Sequence, residues 1–144
     1  MPTIWTIGYE KTTQDALIAA LQEAGVDVLA DIRALPLSRR PGFSKSSLAA
    51  AARAGGMEYR HLKPLGTPAE GRAAARRHDH AALERIYAGQ LDLPEALAAM
   101  AELRSLASEQ KVALLCYERE AAECHRSLLI GALLADFAVI DLKP

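Results

Sequence analysis

No stretch of this chain is apolar for the roughly 18 residues that a membrane span requires. The longest apolar run, Leu128 to Ala135, reads instead as a buried helix. The start, Met1 to Thr13, has neither the basic residues nor the apolar core of an export signal, so a cytoplasmic location without membrane contact is expected. Cysteine is scarce: Cys116 and Cys124 are the two in the chain, too few for a disulfide framework, and in a reducing compartment both are expected as free thiols. Aromatic residues make up 5%, which argues against a stacking platform for single-stranded nucleic acid. A formal net charge of −1 argues against a protein that coats nucleic acid with its whole surface. Nor is any tract rich enough in proline, glycine or one repeated residue to read as a linker or a disordered arm.

What remains is globular. With 144 residues, 51% of them hydrophobic and 24% charged, one domain over 1–144 with its own core is expected. Pro2 to Gly8 alternates and is β-rich, then stops at a glycine. Thr12, with Asp15 three residues on, opens a helix that Gly25 ends. Val26 to Ile32 is a second, more apolar strand, and Lys45 to Ala54 a helix that Ser44 can cap. Met57 to Leu62 alternates polar and apolar residues and, being less apolar than the second strand, predicts a third strand near a sheet edge. Glu70 to His80 and Ala81 to Ala88 read as short helical pieces. Asp92 and Glu95 form a capping pair for a helix whose Leu93, Leu97, Met100, Leu103 and Ala107 share a face. Lys111 to Cys116 is the fourth strand, Tyr117 to Glu123 a charged loop, Cys124 to about Asp136 a helix and Ala138 to Leu142 a last strand.

Strands alternating with helices predict an α/β fold: a single three-layer domain with a mostly parallel sheet of about five strands and helices on both faces. Ligands bind such sheets beyond the carboxyl ends of the strands. That edge should collect Tyr9 and Glu10, Asp31 and Arg33, His61 and Lys63, and Cys116, Glu118 and Arg119.

The densest chemistry lies in Cys116 to Ser127 (CYEREAAECHRS), where a buried strand ends, a loop follows and an apolar helix begins. A helix N-terminus favours anions and thiolates, Arg126 offers a fork for phosphate or carboxylate, and His125 and Ser127 add polar groups beside it. Cys116 and Cys124 are candidate nucleophiles; the competing reading makes both of them small packing residues. Cys116, Cys124 and His125 are also soft metal ligands. Seven residues between the cysteines is not a recognised zinc spacing, however, and there is no second cysteine pair, so neither a metal nor a cofactor is expected.

Charge is uneven: between Ile32 and Ala69 seven basic residues face one acidic residue, Glu58, which points to one local anionic ligand. Within that segment Asp31 and Arg33 point to the same strand face, either as a structural pair or as an arginine held by its carboxylate to grip an anion. Arg39 and Lys63 are further anion-binding candidates. His61 is a candidate acid/base near neutral pH, against the plainer reading of a hydrogen-bonded structural residue.

Thr6-Ile-Gly-Tyr9, the Asp31 to Phe43 segment, Tyr59 to Gly66 and Cys116, Glu118 with Cys124 to Arg126 together resemble the domain of unknown function 488 family. Leu65-Gly-Thr-Pro68 followed by Glu70 and Arg72 is similar to a subgroup with a fuller motif. The resemblance implies a compact α/β fold in a bacterial or archaeal cytoplasm, and it draws Arg72 and Glu118 into the candidate site. It implies no reaction. The leading expectation is an enzyme acting on a phosphorylated or otherwise anionic small molecule, a nucleotide among them. Cys116 or Cys124 would be the nucleophile, His61 or Glu118 the acid/base, and Asp31 and Tyr9 structural partners. The alternatives are a non-catalytic module for nucleotides or nucleic-acid ends, and a polar edge that is only a satisfied network. Nothing in the sequence sets an oligomeric state.

Overall fold

The structure, a computed structural model, describes residues 2–121 and 124–144. The last two residues of the expected charged loop, Ala122 and Glu123, lie outside the described residues.

Five parallel strands form one sheet in the order β3-β2-β4-β1-β5: β1 (Thr3–Gly8), β2 (Val28–Asp31), β3 (Glu58–His61), β4 (Val112–Cys116) and β5 (Ala138–Leu142). The least apolar of the expected strands, β3, lies at an edge, where one side of the ladder needs no partner. The central strands β2 and β4 are buried at every position, as a strand covered on both faces must be.

Alternate side chains of these strands enter two separate cores. Ile4, Val28, Ala30, Val112 and Leu114 pack with Tyr87, Leu103 and Leu129 on one face. Ile7, Leu29, Ala113 and Leu115 pack with Leu17, Leu21 and Leu48 on the other. Helices α1 (Gln14–Glu23) and α2 (Lys45–Ala54) therefore cover one face. The opposite face takes α4 (His80–Leu91), α5 (Pro94–Glu109) and α6 (His125–Leu133), and α3 (Ala69–Arg76) packs with α4 in a satellite cluster of Ala74, Ala82 and Leu83. Each fully buried leucine contributes roughly 1.5–3 kcal/mol relative to exposure. No helix among the described residues is long and apolar enough to cross a membrane.

Three local expectations are corrected. Helix α1 is capped by Thr13, not Thr12: the Thr13 hydroxyl accepts from Ala16 N at 3.1 Å. Helix α5 has no capping box, because Asp92 closes α4 and Leu93 takes the cap position with Pro94 behind it. This phase turns the buried face to Ala96, Leu103 and Ala107 and leaves Leu93 and Leu97 exposed. Ser44 does cap α2, but its hydroxyl is engaged by Ser38, whose N donates to it at 3.1 Å.

Candidate functional site

The parallel register sets Gly8 opposite Cys116, and Asp31 opposite both His61 and Leu115. Adjacent strands β1 and β4 then send their chains to opposite faces, β1 into α1 and β4 into α6. This divergence is the topological switch point at which open α/β sheets form crevices. A cleft of about 610 Å³ opens there, within the size range of small-molecule sites. Its wall includes Tyr9, Arg33, Arg72, Cys116, Glu118 and His125.

Gly8 lets the floor close. A Cβ at Gly8 would lie 1.8 Å from the Glu118 carbonyl oxygen, so any side chain there would expel the loop that follows β4. That loop carries the thiols. Cys116 ends β4, and Cys124 is the N-cap of α6, its sulfur accepting from Arg126 N at 3.3 Å. The expectation of two free thiols is overturned: Cys116 and Cys124 are joined as a disulfide, across Cα atoms 7.6 Å apart. The strand end and the helix start converge on one point, which a spacing of eight in sequence does not reveal. Glu118 Oε2 lies 3.3 Å from Cys116 Sγ.

His125 lies behind the sulfurs. Its Nε2–H donates to the Ile32 carbonyl at 2.7 Å, and its ring meets Tyr87 edge-on at 5.3 Å. That bond leaves Nδ1 with its lone pair 3.8 Å from Cys124 Sγ. Burial pushes the His125 pKa down to about 4, with the nearby Arg126 charge adding to the effect against the opposing Ile32 bond, so the ring is neutral at physiological pH.

Arg33 lines the cleft, but its guanidinium is largely engaged. Nε and Nη2 form a two-pronged pair with Asp31 at 2.8 and 2.7 Å, and Nη1 donates to Phe43 O at 2.7 Å and to Tyr9 OH at 3.4 Å. Asp31 also accepts from Arg33 N and from the Tyr59 hydroxyl. Burial opposes the Arg33 charge, yet the Asp31 contacts hold its pKa above the ordinary arginine value. Burial raises Tyr59, and its bond to Asp31 adds to that.

Several sequence candidates do not reach the cleft wall. Arg126 is fully buried, its Nη2 donating to the Glu118 carbonyl, and among the described residues its Nε and Nη1 have no hydrogen-bond partner. Burial lowers its pKa to about 10, partly offset by Glu118, Asp141 and Glu120. Its bond to the Glu118 carbonyl ties α6 to the loop that follows β4. Ser127 donates to Cys124 O at 3.2 Å. His61 Nε2–H donates to the Arg33 carbonyl at 2.7 Å, so His61 and His125 strap consecutive carbonyls of the β2 exit. Arg39 and Lys63 are exposed away from the cleft, and Lys63 starts a 3₁₀ turn over Lys63–Leu65 instead of extending β3.

Besides Arg33, two more residues of the basic segment after β2 bond within the fold. Arg40 donates to the carbonyls of Tyr9 and Thr12, and Arg60 pairs with Glu58 at 2.9 Å. Further basic side chains lining the cleft come from α3, Arg72 and Arg76, and His78 lines it just beyond. Arg72 Nη1 is anchored on the Thr67 carbonyl at 2.8 Å. Gly66 sets this wall in place, since a Cβ there would lie 2.2 Å from Ala34 N. Arg76 and His78 escape sequence reasoning, because an exposed helix end in a polar stretch has no local signature; α3 and α4 become a wall only by docking on the sheet.

A family model described as domain of unknown function DUF488 matches residues 13–133. No curated protein and no solved structure matches the chain.

Proposed function

Since the chain belongs to the domain of unknown function DUF488 family, whose description carries no activity, we propose a function from the cleft itself: an enzyme that binds an anionic, phosphate-bearing small molecule and uses the Cys124 thiolate as nucleophile. One observation carries this reading. The two cysteines, Glu118 and the arginines Arg72 and Arg76 line a single small-molecule-sized cleft at the switch point of the sheet.

Cys124 is the better nucleophile of the pair, because as the N-cap of α6 its sulfur already accepts a backbone N–H and sits in the positive field of the helix terminus. In the reduced site its thiolate attacks the electrophilic atom of the substrate. The bond to the leaving group breaks, with its electron pair going to that group. Water or a second acceptor then releases the bound fragment and restores the thiolate. In this reading Glu118, which lines the same cleft, gives its proton to the leaving group and takes one back from the acceptor. Arg72 and Arg76 would hold the anion. Two equivalents of an external thiol convert the disulfide to the dithiol while they themselves become a disulfide.

Inorganic phosphate and pyrophosphate titrated into the reduced protein should bind with an affinity that falls as salt rises. Replacing Arg72 with alanine should weaken binding by about 1.5–3 kcal/mol, the range for a hydrogen bond to a charged group. Binding that is absent in the wild type, or unchanged in the Arg72→Ala, Arg76→Ala double variant, removes the anion from this reading.

A further inference from the structure

We infer that, once reduced, Cys116, Cys124 and His125 form a site for one soft divalent metal ion, zinc foremost, with a fourth coordination position open to the cleft.

The three ligand atoms lie within 4.8 Å of one another and all three residues are buried. The orientation of the imidazole is already that of a metal ligand. Nε2–H is fixed on the Ile32 carbonyl and the ring is held edge-on by Tyr87, so Nδ1 presents its lone pair to the sulfurs. A backbone carbonyl on the far nitrogen is the usual support of a metal-bound histidine.

The distances fit. With Zn–S bonds of about 2.3 Å and Zn–N of about 2.0–2.1 Å, a tetrahedral ion sets sulfur and nitrogen about 3.6 Å apart and two sulfurs about 3.8 Å apart. Nδ1 of His125 and Sγ of Cys124 are 3.8 Å apart. The cysteine Cα atoms, 7.6 Å apart, lie beyond the span of about 4.4–6.8 Å that disulfides usually bridge. An ion between the sulfurs makes a longer bridge and suits that spacing.

Two thiolates also neutralise a divalent cation. The unfamiliar spacing of the cysteines is no obstacle, since one ligand ends a strand and the others start a helix that the fold brings to it. Because all three residues line the cleft, the fourth position faces the cavity, the arrangement of reactive and not of closed structural sites.

This inference goes beyond the proposed reaction and does not rest on it. The same Cys124 sulfur cannot be a metal ligand and a free nucleophile at once, so the metal-bound form is a third state beside the disulfide and the dithiol.

The test is titration of cobalt(II), then zinc, into the full chain reduced with a phosphine under argon. One equivalent of cobalt should give thiolate-to-cobalt charge-transfer absorption with the visible bands of tetrahedral coordination. Zinc should abolish both, protect the two thiols from alkylation, and release them again to a chelator. The oxidised protein should give no such absorption. Cys116→Ser and Cys124→Ser should each lose the charge-transfer intensity of one sulfur, and His125→Gln should bind at least tenfold more weakly. Wild-type reduced protein without charge-transfer absorption, or zinc that leaves both thiols freely reactive, overturns the proposal, whatever the fate of the variants. Phosphate binding measured with chelator present reports on the proposed enzyme separately, so either idea can fail alone.

Discussion

Asp31 shows how much one buried residue can hold. It accepts from Arg33 N, Nε and Nη2 and from the Tyr59 hydroxyl, and it is fully buried. Its replacement by asparagine leaves the Arg33 cation buried without a counter-charge. Urea unfolding should register a loss of about 3–5 kcal/mol, as for other broken buried pairs. His125 gives a second prediction, for metal-free protein. Its pKa is about 4 in the fold against 6.5 for an unperturbed histidine, so above pH 6.5 both states are neutral and the residue adds no pH dependence. Between pH 6.5 and 4 the unfolded chain takes up a proton that the folded chain refuses, and stability falls as pH falls, by of order 3 kcal/mol in total. Denaturation curves of wild type and His125→Gln across that window check it: the variant should lack this part of the slope. At this scale the sequence was legible where a residue ends a strand, as Asp31 and Cys116 do. It could not show that Arg126 donates to the Glu118 carbonyl or that the sulfurs meet, since both depend on how α6 docks.

At the scale of elements, the run from β4 to α6 makes the thiol site, and Gly8 on the neighbouring strand permits it. Gly8→Ala should force the Glu118 backbone outward, because the new Cβ has 1.8 Å where contact needs more than 3 Å. The expected cost is about 1–3 kcal/mol, typical of overpacking. Phosphate affinity should fall along with the melting temperature; if both stay at wild-type values, the loop does not rest on β1. All five strands and the main helices could be read from the sequence because apolar period and β-branched runs are local signals. Cap positions were less legible. Thr12 and Thr13 are chemically equivalent, and Asp92 could open α5 or close α4 with equal local sense.

The whole molecule places chemistry by topology. With order β3-β2-β4-β1-β5, the divergence of β1 and β4 creates one cleft, and the expectation that Cys116 and Arg33 share an edge is met by its wall. The strand order could not be read from the sequence, and with it went the cleft's outer wall on α3. Of the basic segment after β2, Arg33 lines the cavity while Arg40 and Arg60 bond within the fold, and Arg72 and Arg76 of α3 join Arg33 in the lining. The central claim, that a reactive thiol sits beside an anion site, is tested most directly in reduced Cys116→Ser protein, where Cys124 is the one thiol left. Its rate of alkylation by iodoacetamide is measured at neutral pH, with chelator, as inorganic phosphate is raised at constant ionic strength. Cys124 should react faster than a cysteine in an unfolded peptide, slow saturably as phosphate fills the cleft, and lose that protection in the Arg72→Ala, Arg76→Ala background. A rate at or below the peptide value that phosphate does not change would contradict the account.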